Sequence, residues 1–311
     1  MKPKISVIIC THNPKPEYFE RVLDALKSQS LPKEQWELLL VDNASTEFLG
    51  EKVDLGWHLN ARHIRENQLG LTPARLRGIQ ETQAETLVFV DDDNILDTDY
   101  LEIVLKISSE WTILGAWGGQ AVPEFEEQPP DWTKAFWEKL AIREFDQDKW
   151  SNLVHQNDTT PYGAGLCIRK AVAEKYSKLV RTDPKRSKLG RTGKVEKSNT
   201  LLMACEDTDM AFTACDLGFG TGLFKALKLT HIMPAGRLQE DYLLKLIEGL
   251  TYSVAVLESF RGKTPLRYSW KAKLLNYFRH WFMNPRDRRF KDAHFRGLNL
   301  AIQEIANSDS K

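Results

Sequence analysis

Apolar residues along this chain fall into two rhythms. Short, nearly unbroken runs at Ile5–Cys10, Trp36–Val41 and Leu87–Val90 carry mainly β-branched, Leu or aromatic residues, as strands buried on both faces do. Each run stops at a polar turn: Thr11-His12-Asn13-Pro14, then Asp42-Asn43-Ala44-Ser45-Thr46, then Asp91-Asp92-Asp93-Asn94. Between them the spacing changes to that of an amphipathic helix, as at Phe19, Val22, Leu23 and Leu26. Ala61–Ile64 reads as a short further strand before the loop Glu66–Gly70. Thr72 is expected to cap a helix that has Pro73 in its first position and Ala74–Glu81 as its body, carrying Arg75 and Arg77. Strand, loop and helix in this order predict an α/β fold: a mostly parallel central sheet flanked by helices, with right-handed crossovers.

Beyond residue 100 the pattern loosens. A helix is expected at Leu101–Ile107, a strand at Gly115–Val122, and an acidic, proline-bearing loop at Pro123–Asp131. Trp132, Phe136, Trp137, Phe145 and Trp150 read as core aromatics, with stacking on a sugar ring as the other use of such side chains. Tyr162–Arg169 is a glycine-opened strand. Residues 181–200 form a long basic loop, read as a lid over an anionic substrate in preference to a disordered segment. Glu206, Asp207 and Asp209 open a helix that continues through Met210, Phe212, Cys215 and Leu217 and ends at Gly218 or Gly220. A strand at Leu223–Ile232 holds His231 near its end, and the chain is helical from Leu238 onward, with Tyr242, Leu243, Leu246 and Leu250 on one face.

Composition narrows the function. With 311 residues the chain can bury a substantial core, and its 43 Lys and Arg balance 43 Asp and Glu, so no global charge points to nucleic acid. The charge is unevenly spread: residues 261–296 hold 11 Lys and Arg against Asp287 and Asp292, a net +9 that leaves the remainder at −9. Within that stretch Tyr268–Phe282 interleaves basic and aromatic residues. It suits either a helix lying on an anionic membrane surface or one packed against the protein or a partner subunit, and homo-oligomerisation stays open. Cys10, Cys167, Cys205 and Cys215 lack paired metal spacing and read as reduced thiols. No signal peptide precedes the strand at Ile5, and no apolar run approaches the about 20 residues of a membrane span. The expected location is cytoplasmic, at most peripheral to the inner face of a membrane.

Three carboxylates at a strand end are the main chemical signal. In an open α/β sheet ligands collect outside the carboxyl ends of the strands. If the strand continued extended, Asp91 and Asp93 would point one way and Asp92 the other, so that two convergent carboxylates could hold a hard cation, Mg²⁺ or Mn²⁺, and with it a diphosphate. The plain alternative is a solvated acidic turn. Neither Gly-x-Gly-x-x-Gly nor Gly-x-x-x-x-Gly-Lys-Ser/Thr occurs, so backbone cradling of phosphate is not signalled.

Four segments in order, Ile5-Ser-Val-Ile-Ile-Cys-Thr-His-Asn13, Leu40-Val-Asp-Asn-Ala-Ser-Thr46, Asn67-Gln-Leu-Gly70 and Phe89-Val-Asp-Asp-Asp-Asn94, resemble the signatures of family 2 glycosyltransferases, which have the Rossmann-like GT-A fold. The resemblance implies a nucleotide-sugar donor, a UDP-sugar in the first instance. It implies that Asp42 accepts a hydrogen bond from the imide of a uracil-type base, and that Thr11, His12, Asn13 and Asn67 line the nucleoside. Asp93 is implied as a direct metal ligand. Asp91 is implied at the metal, the ribose or a bridging water, with Asp92 beside them, and Arg75 near the donor although Leu76 replaces the usual Asn. Glu206-Asp207 with Leu217-Gly-Phe219 resembles the family's Glu-Asp motif, which implies a general base, Asp207 ahead of Glu206. His231 matches a histidine that in some members completes the metal or diphosphate site, a satisfied structural histidine being the other reading.

Together these imply an inverting, metal-dependent glycosyltransferase acting on a saccharide or lipid-linked saccharide acceptor in surface polysaccharide synthesis, with no nucleic-acid partner. Residues 1–236 would be the catalytic domain, 1–100 its nucleotide-binding part and 101–236 its acceptor-side part, followed by a helical region 237–311. The alternatives are a metal-dependent nucleotidyltransferase, which would call for a Gly-rich basic loop after the first strand, and a non-catalytic sugar-nucleotide-binding relative.

Overall fold

The computed structural model describes residues 2–191, 201–263 and 282–308. The chain divides into two compact units, Met1–Lys194 with Glu206–Ala235, and Val195–Cys205 with Gly236–Lys311. The first unit opens with β1 (Ile5–Thr11), α1 (Pro16–Lys27), β2 (Trp36–Asn43), β3 (Ala61–Glu66), α2 (Leu71–Glu81) and β4 (Thr86–Val90). It continues with β5 (Asn94–Leu96), α3 (Tyr100–Glu110), β6 (Leu114–Phe125), β7 (Lys149–Ser151), β8 (Cys167–Arg169), α4 (Lys170–Thr182), α5 (Glu206–Asp216) and β9 (Gly220–Met233). Among the described residues the strands form one sheet in the order β3-β2-β1-β4-β8-β6-β9-β5, with β7 beside β9.

The first half of the sheet is parallel, as its apolar runs require. The second half is mixed, with β8 antiparallel to both β4 and β6, and β9 parallel to β6. Ile5, Val7 and Ile9 pack on one face with α1 and α3, while Ile8 packs on the other with α2, α4 and α5. From β1 the chain steps to β2 and β3 on one side and then returns to β4 on the other. This reversal is the topological switch point at the carboxyl ends of β1 and β4, beside Thr11 and Asp91, where an open α/β sheet forms its ligand crevice.

Several boundaries differ from expectation. Thr72 does not cap α2: it is buried in the first turn, and Gly70 holds the capping position at φ 138°, where a side chain would be strained. The Leu71 N–H is taken by the Arg191 carbonyl at 2.8 Å. β6 runs on to Phe125 and includes Pro123, because β8 pairs with β6 only at Ala116 and Trp117 and, past the Ala121–Arg143 bridge, no described strand pairs with that edge. Of Tyr162–Arg169, only Cys167–Arg169 is strand. The aromatic stretch is a 3-10 helix over Asp131–Leu140 whose Trp132, Phe136 and Trp137 are half-buried, and Trp150 is exposed, so these rings are not core. In the basic stretch α4 extends to Thr182, and a 3-10 turn at Pro184–Leu189 is anchored by Arg186 to Asp209. The rest of the expected lid, residues 192–200, lies outside the described residues, as do residues 264–281 of the basic aromatic segment.

In the second unit α6 (Glu240–Phe260) packs on α7 (Pro285–Ser308), and Gly297 allows close approach to the Glu248 carbonyl. No described helix is long and apolar enough to cross a membrane.

One glycine fixes the join of the two long strands. A Cβ on Gly119 would stand 2.0 Å from the Leu227 carbonyl oxygen, at the register shift between β6 and β9. Backbone cannot yield as a side chain can, so Gly119→Ala is expected to lower stability by roughly 2–3 kcal/mol in urea denaturation.

Candidate active site

The crevice is built from strand ends. After β4 the chain does not stay extended: the Asn94 N–H donates to the Asp91 carbonyl at 3.1 Å and closes a turn. The alternation expected of the three aspartates therefore gives way to three separate contacts. Asp92 accepts from the Thr11 hydroxyl, joining the ends of β1 and β4. Asp91 lies 3.6 Å from Arg75 Nη2. Asp93 is nearly buried, with Oδ1 accepting from Asn94 Nδ2 at 3.0 Å and Oδ2 lying 3.7 Å from His231 Nε2. His231 arrives there because β5 pairs with β9, setting it opposite Asn94.

Arg75 joins the turn to α5. Its side chain is 3% exposed, its Nη1 is 4.0 Å from Glu206 Oε2, and its guanidinium carbon is 5.3 Å from the Phe89 ring centroid. The acids after β4 and those opening α5 are thus within reach of one guanidinium. Burial alone would lower the Arg75 pKa, but the charges of Glu206, Asp91 and Asp207 raise it well above its ordinary value.

Glu206 and Asp207 are adjacent in sequence and differ in surroundings. Glu206 is buried, and neither carboxylate oxygen has a hydrogen-bond partner of good geometry. Burial pushes its pKa from 4.5 to about 7, against the pull of Arg75 and with a further push from Asp207. Asp207 is half-exposed, with Oδ2 accepting from the Gly163 N–H at 2.6 Å and Oδ1 from the Thr208 N–H at 2.8 Å. Gly163 is needed there, since a Cβ would stand 2.8 Å from Arg75 Nη2 and 3.1 Å from Asp207 Oδ2.

Asp42, Thr11, His12, Asn13 and Asn67 cluster on the β2 side. The Asn13 N–H donates to Ser45 Oγ, the Thr46 N–H donates to Asn13 Oδ1, and His12 Nδ1 lies 2.8 Å from the Asn43 carbonyl. Asp42 accepts from the Ser45 and Leu49 N–H groups and from Arg65 Nη1. Burial works to raise its carboxyl, and these hydrogen bonds prevail and hold it below the usual range. Asn67 is exposed, with Oδ1 3.4 Å from Arg65 Nε. Sequence reasoning missed Arg65, Gly163 and the Arg186–Asp209 pair. The β2–β3 register that sets Asp42 against Arg65 was the available signal for the first.

The donor set suits a hard divalent cation. Among the described residues no three His, Cys, Asp or Glu side chains stand close enough to enclose a metal. Asp93 and the more exposed Asp91 offer carboxylate oxygens on one turn, which fits an ion bound by one or two carboxylates and completed by phosphate and water.

The family model described as Glycosyl transferase family 2 matches residues 6–176, more than half the chain. Glycosyltransferase AglE of Haloferax volcanii is 32% identical over 103 residues, covering 32% of this chain and 34% of that protein. Poly(ribitol-phosphate) beta-N-acetylglucosaminyltransferase TarS of Staphylococcus aureus is 27% identical over 141 residues, 42% of this chain and 24% of its own. The matches thus span about a third or less of these relatives' length. Among solved structures, S. aureus TarS 1-349 in complex with UDP-GlcNAc has a TM-score of 0.52 at 15% identity, covering 99% of this chain and 91% of that one. Mannosyltransferase PcManGT from Pyrobaculum calidifontis in complex with GDP-Man and Mn²⁺ has a TM-score of 0.54 at 17% identity, covering 99% and 74%. At these identities the likeness is one of fold, the GT-A type.

The buried Glu206 makes stability depend on pH. Below 4.5 both folded and unfolded states hold its proton and no penalty arises; the penalty grows as pH rises to about 7, beyond which the fold contains a buried charge. Glu206→Gln should therefore gain stability over the unsubstituted protein by on the order of 2 kcal/mol between pH 5 and pH 8, read by urea denaturation at each pH.

Proposed function

The chain belongs to glycosyl transferase family 2, and we propose that it is an inverting glycosyltransferase. It moves a sugar from a nucleoside-diphosphate sugar, with UDP-sugars first, to a hydroxyl of a saccharide or lipid-linked saccharide acceptor in surface polysaccharide synthesis. The observation that carries this reading is the sharing of Arg75 between Asp91 and Glu206, which sets a donor-side acid group and a base-side acid group around one crevice. The structures of TarS with UDP-GlcNAc and of the mannosyltransferase with GDP-Man and Mn²⁺ support a donor of this class on this fold.

Asp207 is the general base. It is the more accessible of the paired acids, and the Gly163 and Thr208 N–H groups fix its carboxylate beside the cleft, where it takes the proton of the attacking acceptor hydroxyl. Asp93 and Asp91, with His231 alongside, would hold Mn²⁺ or Mg²⁺, which supplies charge stabilisation to the departing diphosphate. Arg75 stays buried and holds the two acid groups together. A single base on the acceptor side, with no carboxylate assigned as a nucleophile, gives inversion at the anomeric carbon.

Asp207→Asn is expected to lower transfer by about 10²–10⁴-fold while leaving calorimetric binding of UDP with Mn²⁺ within about twofold. Asp93→Ala should remove the Mn²⁺-dependent part of that binding. Ordinary turnover by Asp207→Asn would overturn the assignment of the base. A thermal-shift screen of nucleotide sugars with Mn²⁺ identifies the donor.

A further inference from the structure

Asp207 is held in part by a peptide that cannot hold itself. Gly163 has no side chain to restrict its dihedrals, yet its N–H makes a short, charge-assisted bond to Asp207 Oδ2 at 2.6 Å. The chain on either side must therefore fix the plane of that peptide. On the far side the Tyr100 hydroxyl donates to the Gly165 carbonyl at 2.7 Å. On the near side the hold comes from Arg143. Its guanidinium carbon is 3.6 Å from the centroid of the Tyr162 ring, Nη1 donates to the Thr160 carbonyl at 2.8 Å, and Nη2 reaches toward the Asn157 carbonyl at 3.5 Å. Arg143 is itself tied to β6: its N–H donates to the Ala121 carbonyl at 3.1 Å, and its carbonyl accepts from the Ala121 N–H at 2.9 Å. Thr159 and Pro161 dock the same loop, the first through Thr221 Oγ1 at 3.2 Å and the second against Gly118, where a Cβ would stand 3.0 Å from Pro161 Cβ. Those contacts end at Pro161. The Tyr162 carbonyl and the Gly163 N–H belong to one planar unit, and the side chain that carries the hold across to it is the one Arg143 covers.

We infer that Arg143 is a positioning residue for the base: by clamping Tyr162 and the Thr160 carbonyl against β6, it delivers the Gly163 N–H to Asp207 Oδ2 and so sets the direction in which that carboxylate meets an acceptor hydroxyl. The inference rests on the proposal that Asp207 is the general base of a glycosyl transfer. Only a guanidinium does this work, because its planar fork donates to backbone carbonyls while its face lies on the ring, and a lysine ammonium has neither the fork nor the plane. The effect on rate is indirect. A displacement of about 1 Å at a reacting group can cost on the order of 10²-fold without any loss of substrate binding.

The test compares the full chain with Arg143→Ala and Arg143→Lys by two measurements. Hydrogen exchange read by mass spectrometry over residues 162–166 needs no ligand. Release of nucleoside diphosphate from UDP-GlcNAc, UDP-glucose, UDP-galactose and GDP-mannose, with Mn²⁺ and water as the acceptor, gives kcat and KM. In Arg143→Ala the amides of 162–166 are expected to exchange at least about tenfold faster while those of β1 and β4 keep their rates. The same variant should lose about 10–100-fold in kcat with KM for the donor within about twofold. Guanidinium chloride, at millimolar levels too dilute to unfold the protein, should restore part of that rate by refilling the place of the missing fork. Arg143→Lys keeps the charge without the fork, so it should share the fall in kcat, and it carries the test where Arg143→Ala does not fold. Unchanged exchange at 162–166, or unchanged kcat, in both variants would overturn the inference. So would a fall in kcat matched by faster exchange throughout the sheet and not restored by guanidinium, which would make Arg143 a structural residue alone. Release from none of the four donors by the unsubstituted protein would overturn the functional reading itself, while the exchange rates still decide whether Arg143 holds Gly163.

Discussion

A guanidinium withdrawn from water is tolerated only where opposite charge replaces the solvent, and Arg75, 3.6 Å from Asp91 and 4.0 Å from Glu206, is the point at which this fold meets that condition. Its compensation comes from two places far apart in the chain: the turn after β4, and the first residues of α5. Neither set of acids would sit easily without it, because Glu206 is buried and Asp207 is close beside it. Seating α2, closing the turn after β4 and docking α5 are therefore linked by a single cation. The acids around it outnumber it, and the excess is absorbed in part by Glu206, whose carboxyl holds its proton up to about neutrality.

How much of this was legible depends on what determines each element. β1, β2, β4 and α1 could be read directly because their own side chains, buried on both faces of a sheet or on one face of a helix, dictate their form. β5, β7 and β8 are three residues each and have no pattern of their own. They are strands because long neighbours such as β9 offer backbone to pair with. The start of α2 was misread for a related reason: Thr72-Pro73 has the composition of a cap, but the Arg191 carbonyl, distant in sequence, satisfies the Leu71 N–H. α4 was hidden by its charged face, although Val172, Ala173, Tyr176 and Val180 follow helical spacing and are all buried.

The acids of the site could be read from their position at strand and helix ends. Their partners could not. The bond between Asp42 and Arg65 depends on the register of two parallel strands, which brings these residues side by side. The loop that presents Gly163 to Asp207 is irregular, and its geometry is set by Gly165 at φ 69° and by the Tyr100 hydroxyl that donates to the Gly165 carbonyl. In each case sequence identifies a charged or flexible residue, and only the folded chain decides which other residue answers it.

The same distinction separates the two acids that open α5. Successive residues of an α-helix point about 100° apart, so one of a neighbouring pair can face the interior while the other faces the cleft. The phase of the helix decides which. That phase is set by Met210, Ala211 and Ala214, which pack in the core, together with Asp209, on the same face as Glu206 one turn later, whose carboxylate is fully buried and held at 2.6 Å by Arg186 Nη1. With Asp209 pinned inward, Glu206 must also turn inward toward Arg75, and Asp207 is left at the cleft beside the Gly163 N–H. A group that is to remove a proton from an incoming hydroxyl has to be within its reach, whereas a group that tunes a buried cation does not. One helical rotation, fixed by core packing and an ion pair, therefore sets two adjacent carboxylates in different surroundings, and it is the accessible one that is proposed as the base.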